Sequence, residues 1–211
     1  MTFVKFLKMA LLFQKNINSD VVIGIWRIEE SVEELSLMFP HLDFVISQYG
    51  SLKRKQEVLC TYALLYQMTG NDKLLIEHGS LGNPLVNGFF ISISHTKGFV
   101  SLILSKYSHV SIDIEYKSKR VFYVEDHFIR KDEAFKADKR NLLTIWCTKE
   151  TYYKYRSSYF SERISMLQMK VEELTLSNNH GKISVVDYKN NCRKQVFYEI
   201  NSDYTLTYIC K

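Results

Sequence analysis

The chain has 211 residues, enough for one large domain or two small packed halves, and its 46% apolar and 24% charged composition is that of a globular protein. The formal net charge of +5 is modest and forms no arginine-rich stripe, so it is weak evidence for nucleic acid; it suits an acidic partner or a polyphosphate ligand about as well, and a solvated mixed-charge surface equally. Two prolines and eight glycines leave no room for long flexible linkers, and 14 Tyr and 13 Phe predict an aromatic-rich core.

In chain order, the stretch from Phe3 to Phe13 is apolar but interrupted by Lys5 and Lys8. No small-residue cleavage site follows, so it reads as a first strand, not a signal peptide, and no apolar run reaches membrane-spanning length. The four cysteines (60, 147, 192, 210) show no metal-binding spacing. They read as buried, reduced thiols of a cytoplasmic protein. Residues 21–28 predict a strand. Residues 51–69 predict a helix, with Ser51 as N-cap, Leu52, Leu59, Ala63 and Tyr66 at helical spacing, and Gly70 as its stop. Lys53, Arg54 and Lys55 crowd its first turn, where the macrodipole disfavours cations, and a nearby anion would offset this.

Residues 89–105 read as a hairpin around Thr96-Lys97-Gly98, and 110–115 as the next strand. Residues 125–137 and 141–156 read as helices, and 182–186, 195–200 and 204–209 as strands. A faint echo links Phe90-Ile-Ser-Ile-Ser-His95 with Val196-Phe-Tyr-Glu-Ile-Asn201. Strand runs mixed with longer helices predict an α+β fold, and the echo suggests two similar halves with pseudo-two-fold symmetry, at 1–105 and 106–211.

Two segments carry the chemistry. In the strand Val110-Ser-Ile-Asp-Ile-Glu115, alternation puts Ser111, Asp113 and Glu115 on the face opposite Val110, Ile112 and Ile114. Like charges so close repel unless a cation lies between them, and Mg²⁺ prefers such oxygen ligands together with substrate phosphates; an exposed edge of solvated acids is the plainer alternative. In the second, Leu142, Trp146, Glu150 and Lys154 form one helical row. Glu150 and Lys154 read either as a helix ion pair or as a metal ligand or general base beside a phosphate-binding lysine, with Lys149 able to reach the same anion. His95, at a strand end beside a glycine turn, is placed to donate to a phosphate or to act as a polar cap. There is no Walker A loop, no GxGxxG and no GxSxG elbow.

Taken in order, five segments resemble the 4′-phosphopantetheinyl transferases of the larger, surfactin-synthetase-activating type: Gly82-Asn-Pro84, Ile91-Ser-Ile-Ser-His95, Ser111-Ile-Asp-Ile-Glu115, Phe128-Ile-Arg-Lys-Asp-Glu133 and Trp146-Cys-Thr-Lys-Glu-Thr-Tyr-Tyr-Lys154. The resemblance covers about residues 50 to 160. It implies two α+β halves with coenzyme A in the cleft between them, and transfer of the phosphopantetheine arm to a serine of an apo acyl or peptidyl carrier protein, releasing adenosine 3′,5′-bisphosphate. It implies Mg²⁺, or Mn²⁺, on Asp113, Glu115 and Glu150, with Glu150 alternatively the general base. Lys154 would stabilise the transferred phosphoryl group, and Lys53, Arg54, Pro84, Ser94, His95 and Lys149 would hold coenzyme A. A monomer without nucleic acid or membrane is expected. Asn83 stands where the family has lysine, Ser111 where it has glycine, and Tyr62 near where relatives carry arginine. These departures support an alternative, a diverged protein that binds coenzyme A or a carrier without turnover. A small basic nucleic-acid-binding protein is a third reading, which no motif supports.

Overall fold

The computed structural model describes residues 11–135, 137–172 and 176–211. The fold is mixed α/β with antiparallel sheets. Strands β1 (Leu11–Asn16), β2 (Val21–Arg27), β5 (Phe90–Thr96) and β6 (Phe99–Ser105) form a sheet in the order β1-β2-β6-β5. Strands β7 (Ser111–Tyr116), β8 (Met169–Glu172), β9 (His180–Asp187), β10 (Cys192–Ile200) and β11 (Tyr204–Ile209) form a second, in the order β7-β11-β10-β9-β8. A short pair, β3 (Glu77–His78) and β4 (Pro84–Leu85), lies apart.

Side-chain alternation explains the layering. Along β2, Val21, Ile23 and Ile25 join Phe99 and Ile103 in a core shared with Ile112, Ile114, Leu206 and Tyr208 of the second sheet. Trp26 faces the other way, with Val100, Leu102 and Leu104, onto helix α3 (Leu52–Thr69). The second sheet turns Val185, Val196 and Tyr198 onto helix α4 (Lys139–Phe160). The order is therefore helix, sheet, sheet, helix. Gly24 permits the close approach of α3: a Cβ there would lie 2.6 Å from Met68 Sδ and 2.7 Å from Leu64 Cδ1.

Several sequence expectations hold. Ser51 Oγ accepts from Arg54 N, and Gly70, at φ +67°, ends α3 by donating to Tyr66 O at 2.8 Å. The hairpin, the strand at 110–115 and the three C-terminal strands form close to their expected bounds. Two short helices went unread: α1 (Val32–Met38), opened by a capping box between Ser31 and Glu34, and α2 (Asp43–Ile46). Cys60 and Cys147 are buried, whereas Cys192 and Cys210 are half-buried; all four are free. No described helix is long and apolar enough to cross a membrane. The strand expected at 3–13 lies largely outside the described residues, which begin it at Leu11.

The helix expected at 125–137 does not form. Only a 3₁₀ turn, Glu125–His127, appears there. The reason is Glu133. Its carboxylate accepts from Arg130 N at 2.7 Å and from Val171 N at 2.6 Å, tying the segment across to β8. Buried Phe128 anchors it beneath Trp146, so tertiary contacts outweigh local propensity.

The two sheets meet at a seam between β5 and β7. Three hydroxyls on one face of β5 stitch it. Ser92 Oγ accepts from Ile112 N at 3.2 Å, Ser94 Oγ donates to Asp113 Oδ1 at 2.7 Å, and Thr96 Oγ1 accepts from Tyr116 N at 3.3 Å. From α4, Tyr159 Oη donates to Val110 O at 2.9 Å. Because the seam is buried, each lost partner leaves a polar group stranded. Ser92→Ala is expected to lower unfolding free energy by about 1–3 kcal/mol, the cost of an unsatisfied buried N–H, as read by urea denaturation.

Candidate functional site

Strand β7 runs beneath α4, so the polar face of the strand meets the Trp146 row of the helix. Ser111 Oγ donates to Thr151 O at 2.6 Å and fixes the register. That hydroxyl, where the resembled family carries glycine, is thus structural. One turn on, Lys154 Nζ donates to Asp113 Oδ1 at 2.7 Å and lies 3.4 Å from Ile112 O. Asp113 Oδ2 is buried without any partner. Both oxygens of Glu115 are held: Trp146 Nε1 donates to Oε1 at 3.0 Å and Thr96 Oγ1 to Oε2 at 3.1 Å. Glu150 makes no side-chain hydrogen bond or ion pair among the described residues, yet burial and the charge of Asp113 push its pKa up to about 7. Burial and Asp113 also raise Glu115. Desolvation opposes the charge on Lys154, but Asp113 outweighs it and the ammonium is held above its ordinary range.

Glu115, Thr96, Trp146 and His95 line a cavity of about 810 Å³, with Lys53 and Arg120 on its wall. Asp113, Glu150 and Lys154 are not on that lining. A second cavity of about 380 Å³ is lined by Tyr49, Arg54, Tyr62, Pro84, Ile93 and His95, and His95 belongs to both. Glu57, almost fully buried, lines the larger cavity beside His95. Its carboxylate accepts from Arg54 Nη1 at 3.3 Å and lies 3.7 Å from both Lys53 Nζ and His95 Nδ1. Arg54 also donates to His95 Nε2. Desolvation keeps His95 below its ordinary range; Glu57 opposes this, and Arg54 and Lys154 reinforce it. The neutral ring is what allows Nε2 to accept.

The structure brings together Asp113, Glu115, Glu150 and Lys154, and separately Lys53, Arg54, Pro84 and His95. Two expectations need correction. Lys149 does not reach that anion site: its side chain is 0% exposed, donating to Phe128 O at 2.6 Å and pairing with Glu133 at 2.8 Å. One residue along a helix is a rotation of about 100°, which takes it to a different face from Glu150. Ser94 is turned onto Asp113 and buried, so it positions a carboxylate and does not offer its hydroxyl to a ligand. Three functional side chains went unread: Thr96, the indole donor of Trp146, and Glu57. The anion that the crowded first turn of α3 demanded is Glu57, one turn further along that helix. Its place in Lys53-Arg54-Lys55-Gln56-Glu57 could have revealed it.

The donor set fits a hard divalent cation in chemistry. It is all oxygen and includes the orphaned Asp113 Oδ2. In geometry it is not yet closed. Among the described residues, no three His, Cys, Asp or Glu side chains converge enough to hold an ion. Lys154 stands on Asp113, and Trp146 and Thr96 engage Glu115.

A comparison with protein-family models finds no match, and no curated protein matches at a significant level. The functional argument therefore rests on the residues themselves.

Two outcomes follow from these environments. Folded Glu150 keeps its proton to about pH 7, against an ordinary value of 4.5. Between these values the native state binds more protons than the unfolded chain, so this group's contribution to stability falls as pH rises. Relative to Glu150→Gln, the wild-type protein should lose stability across that window, as read by urea denaturation at each pH. Lys149→Met should lower stability by about 3–5 kcal/mol, since it strands the buried Glu133 carboxylate, and should leave ligand affinity of the folded protein unchanged by isothermal titration calorimetry.

Proposed function

We propose that this protein transfers the 4′-phosphopantetheine arm of coenzyme A to a serine hydroxyl of an apo acyl or peptidyl carrier protein, as a monomer in the cytoplasm. The single observation that carries the reading is the grouping of Asp113, Glu115, Glu150 and Lys154 at the seam between two helix-covered sheets, beside a cavity lined by His95 and Lys53. In this reading the halves 1–105 and 106–211 are related by a pseudo-two-fold axis, and coenzyme A lies between them.

The reaction is a displacement at the phosphorus attached to pantetheine. The serine oxygen forms the new P–O bond, the bridge to the adenosine-bearing phosphate breaks, and adenosine 3′,5′-bisphosphate leaves. Asp113 and Glu115 would hold Mg²⁺ or Mn²⁺, which neutralises charge developing on the leaving pyrophosphate oxygen. Glu150 either completes that oxygen set or takes the serine proton, directly or through water. Lys154 places an ammonium on the transferred phosphoryl group. His95, Lys53 and Arg54 bind the other phosphates, while Pro84 and Tyr62 wall the smaller cavity.

A specific observation favours a second reading, a protein that binds coenzyme A without turnover. Glu57 already compensates Arg54, Tyr62 Oη accepts from Ile76 N at 3.0 Å, and Asn83 supplies no charge. Incubation of an apo carrier protein with coenzyme A and Mg²⁺ decides by intact mass. A gain of one phosphopantetheine arm, lost with chelator and reduced at least a hundredfold in Asp113→Ala, is the expected result. No gain on any carrier class, with coenzyme A still bound, would select the second reading.

A further inference from the structure

Lys154 makes two demands on one ammonium group. In the proposed reaction it serves a phosphate, yet in the structure it is spent on Asp113, 2.7 Å from Oδ1, with Ile112 O at 3.4 Å. Asp113 is 3% exposed and its Oδ1 also accepts from Ser94, while Oδ2 has no partner. Around this ion pair lie two further carboxylates, Glu115 on β7 and Glu150 one turn before Lys154 on α4. Three acids grouped this closely, Asp113 buried and the other two half-buried, need a cation. Lys154 is the cation paired with Asp113, and it reaches that carboxylate from a flexible four-carbon stem.

We infer that Lys154 is a place-holder cation: its ammonium and a divalent metal ion compete for Asp113, and arrival of the metal releases Lys154 toward the substrate phosphate. This rests on the reading of Asp113 as a metal ligand. It accounts for why the three carboxylates do not converge on a common point while Lys154 is paired. It also couples the two charges of the reaction in time. Asp113 exchanges one positive charge for two, and the freed ammonium becomes available as metal and phosphate arrive together. The Lys154 side chain is 26% exposed, against 5% for Asp113.

The inference predicts an effect opposite to that of an ordinary active-site deletion. In a titration with Mn²⁺ alone, followed by the electron paramagnetic resonance signal of the free ion, Lys154→Met should bind at least tenfold tighter than the wild-type protein, although phosphopantetheine transfer is lost. Lys154→Gln should show the same gain, and thermal unfolding confirms that either variant is folded. Adding Asp113→Asn to Lys154→Met should abolish the gain. Equal or weaker Mn²⁺ binding in both lysine variants would overturn the proposal, as would a gain that survives Asp113→Asn. A second readout is reductive methylation of the wild-type protein, mapped by mass spectrometry: Mg²⁺ should speed modification of Lys154, and unchanged protection would overturn the exchange. Carrier-protein transfer by the wild type with no gain in the variants would reject the exchange and keep the enzyme reading. A gain without transfer on any carrier would do the reverse.

Discussion

The β5–β7 seam is the constraint on which the rest depends. The two strands belong to different sheets, and the hydroxyls of Ser92, Ser94 and Thr96 supply hydrogen bonds across the join. A backbone ladder joining the sheets would have been indifferent to side chains. A hydroxyl seam is not: two of its three members also touch the functional carboxylates. Ser94 holds Asp113 and Thr96 holds Glu115. Docking of the two sheets and orientation of the acids are therefore one event. From α4, Lys154 reaches across to Asp113, while Glu150 makes no side-chain hydrogen bond or ion pair among the described residues.

Electrostatics divides the site into two neighbourhoods. Around β7, negative charge is in excess: one ammonium faces three carboxylates, and burial amplifies the repulsion among them. Around the start of α3, positive charge is in excess: Lys53 and Arg54 flank the single carboxylate of Glu57, with the neutral ring of His95 beside it. His95 touches both cavities and feels charge from both sides, Lys154 among them. A ligand with several phosphates bound with a divalent cation complements this layout, because each neighbourhood then receives the charge it lacks. An uncharged ligand would complement neither.

The main elements were legible because each rests on a local rule. The period of two in Ser111-Ile-Asp-Ile-Glu115 assigns both faces of that strand, the apolar run Val21-Val-Ile-Gly-Ile-Trp26 marks another, and Ser51 and Gly70 bracket α3 by their caps. The row Trp146, Glu150, Lys154 follows from helical geometry alone. The segment after Phe128 failed for the opposite reason. Its helical spacing is real, but Glu133 is committed to Lys149 and to the backbone of β8, partners remote in sequence. Lys149 was misplaced by the same blindness. Sequence spacing says which residues share a face, not which face looks at the ligand.

By itself, then, the sequence determined the two long helices and most of the longer strands, the pairing of Asp113 with Glu115 on one strand face, and the stacking of Glu150 over Lys154 on one helix face. These depend only on backbone periodicity, which is short in range. The tertiary structure alone decided that the two faces meet, that Ser94 and Thr96 reach across the seam to orient the acids, that Glu57 answers the cations of α3, and that Lys154 rests on Asp113. Each of these joins groups distant along the chain or on different elements, and each is selected by the high cost of leaving a buried polar group unpaired, a quantity that exists only once the layers have packed.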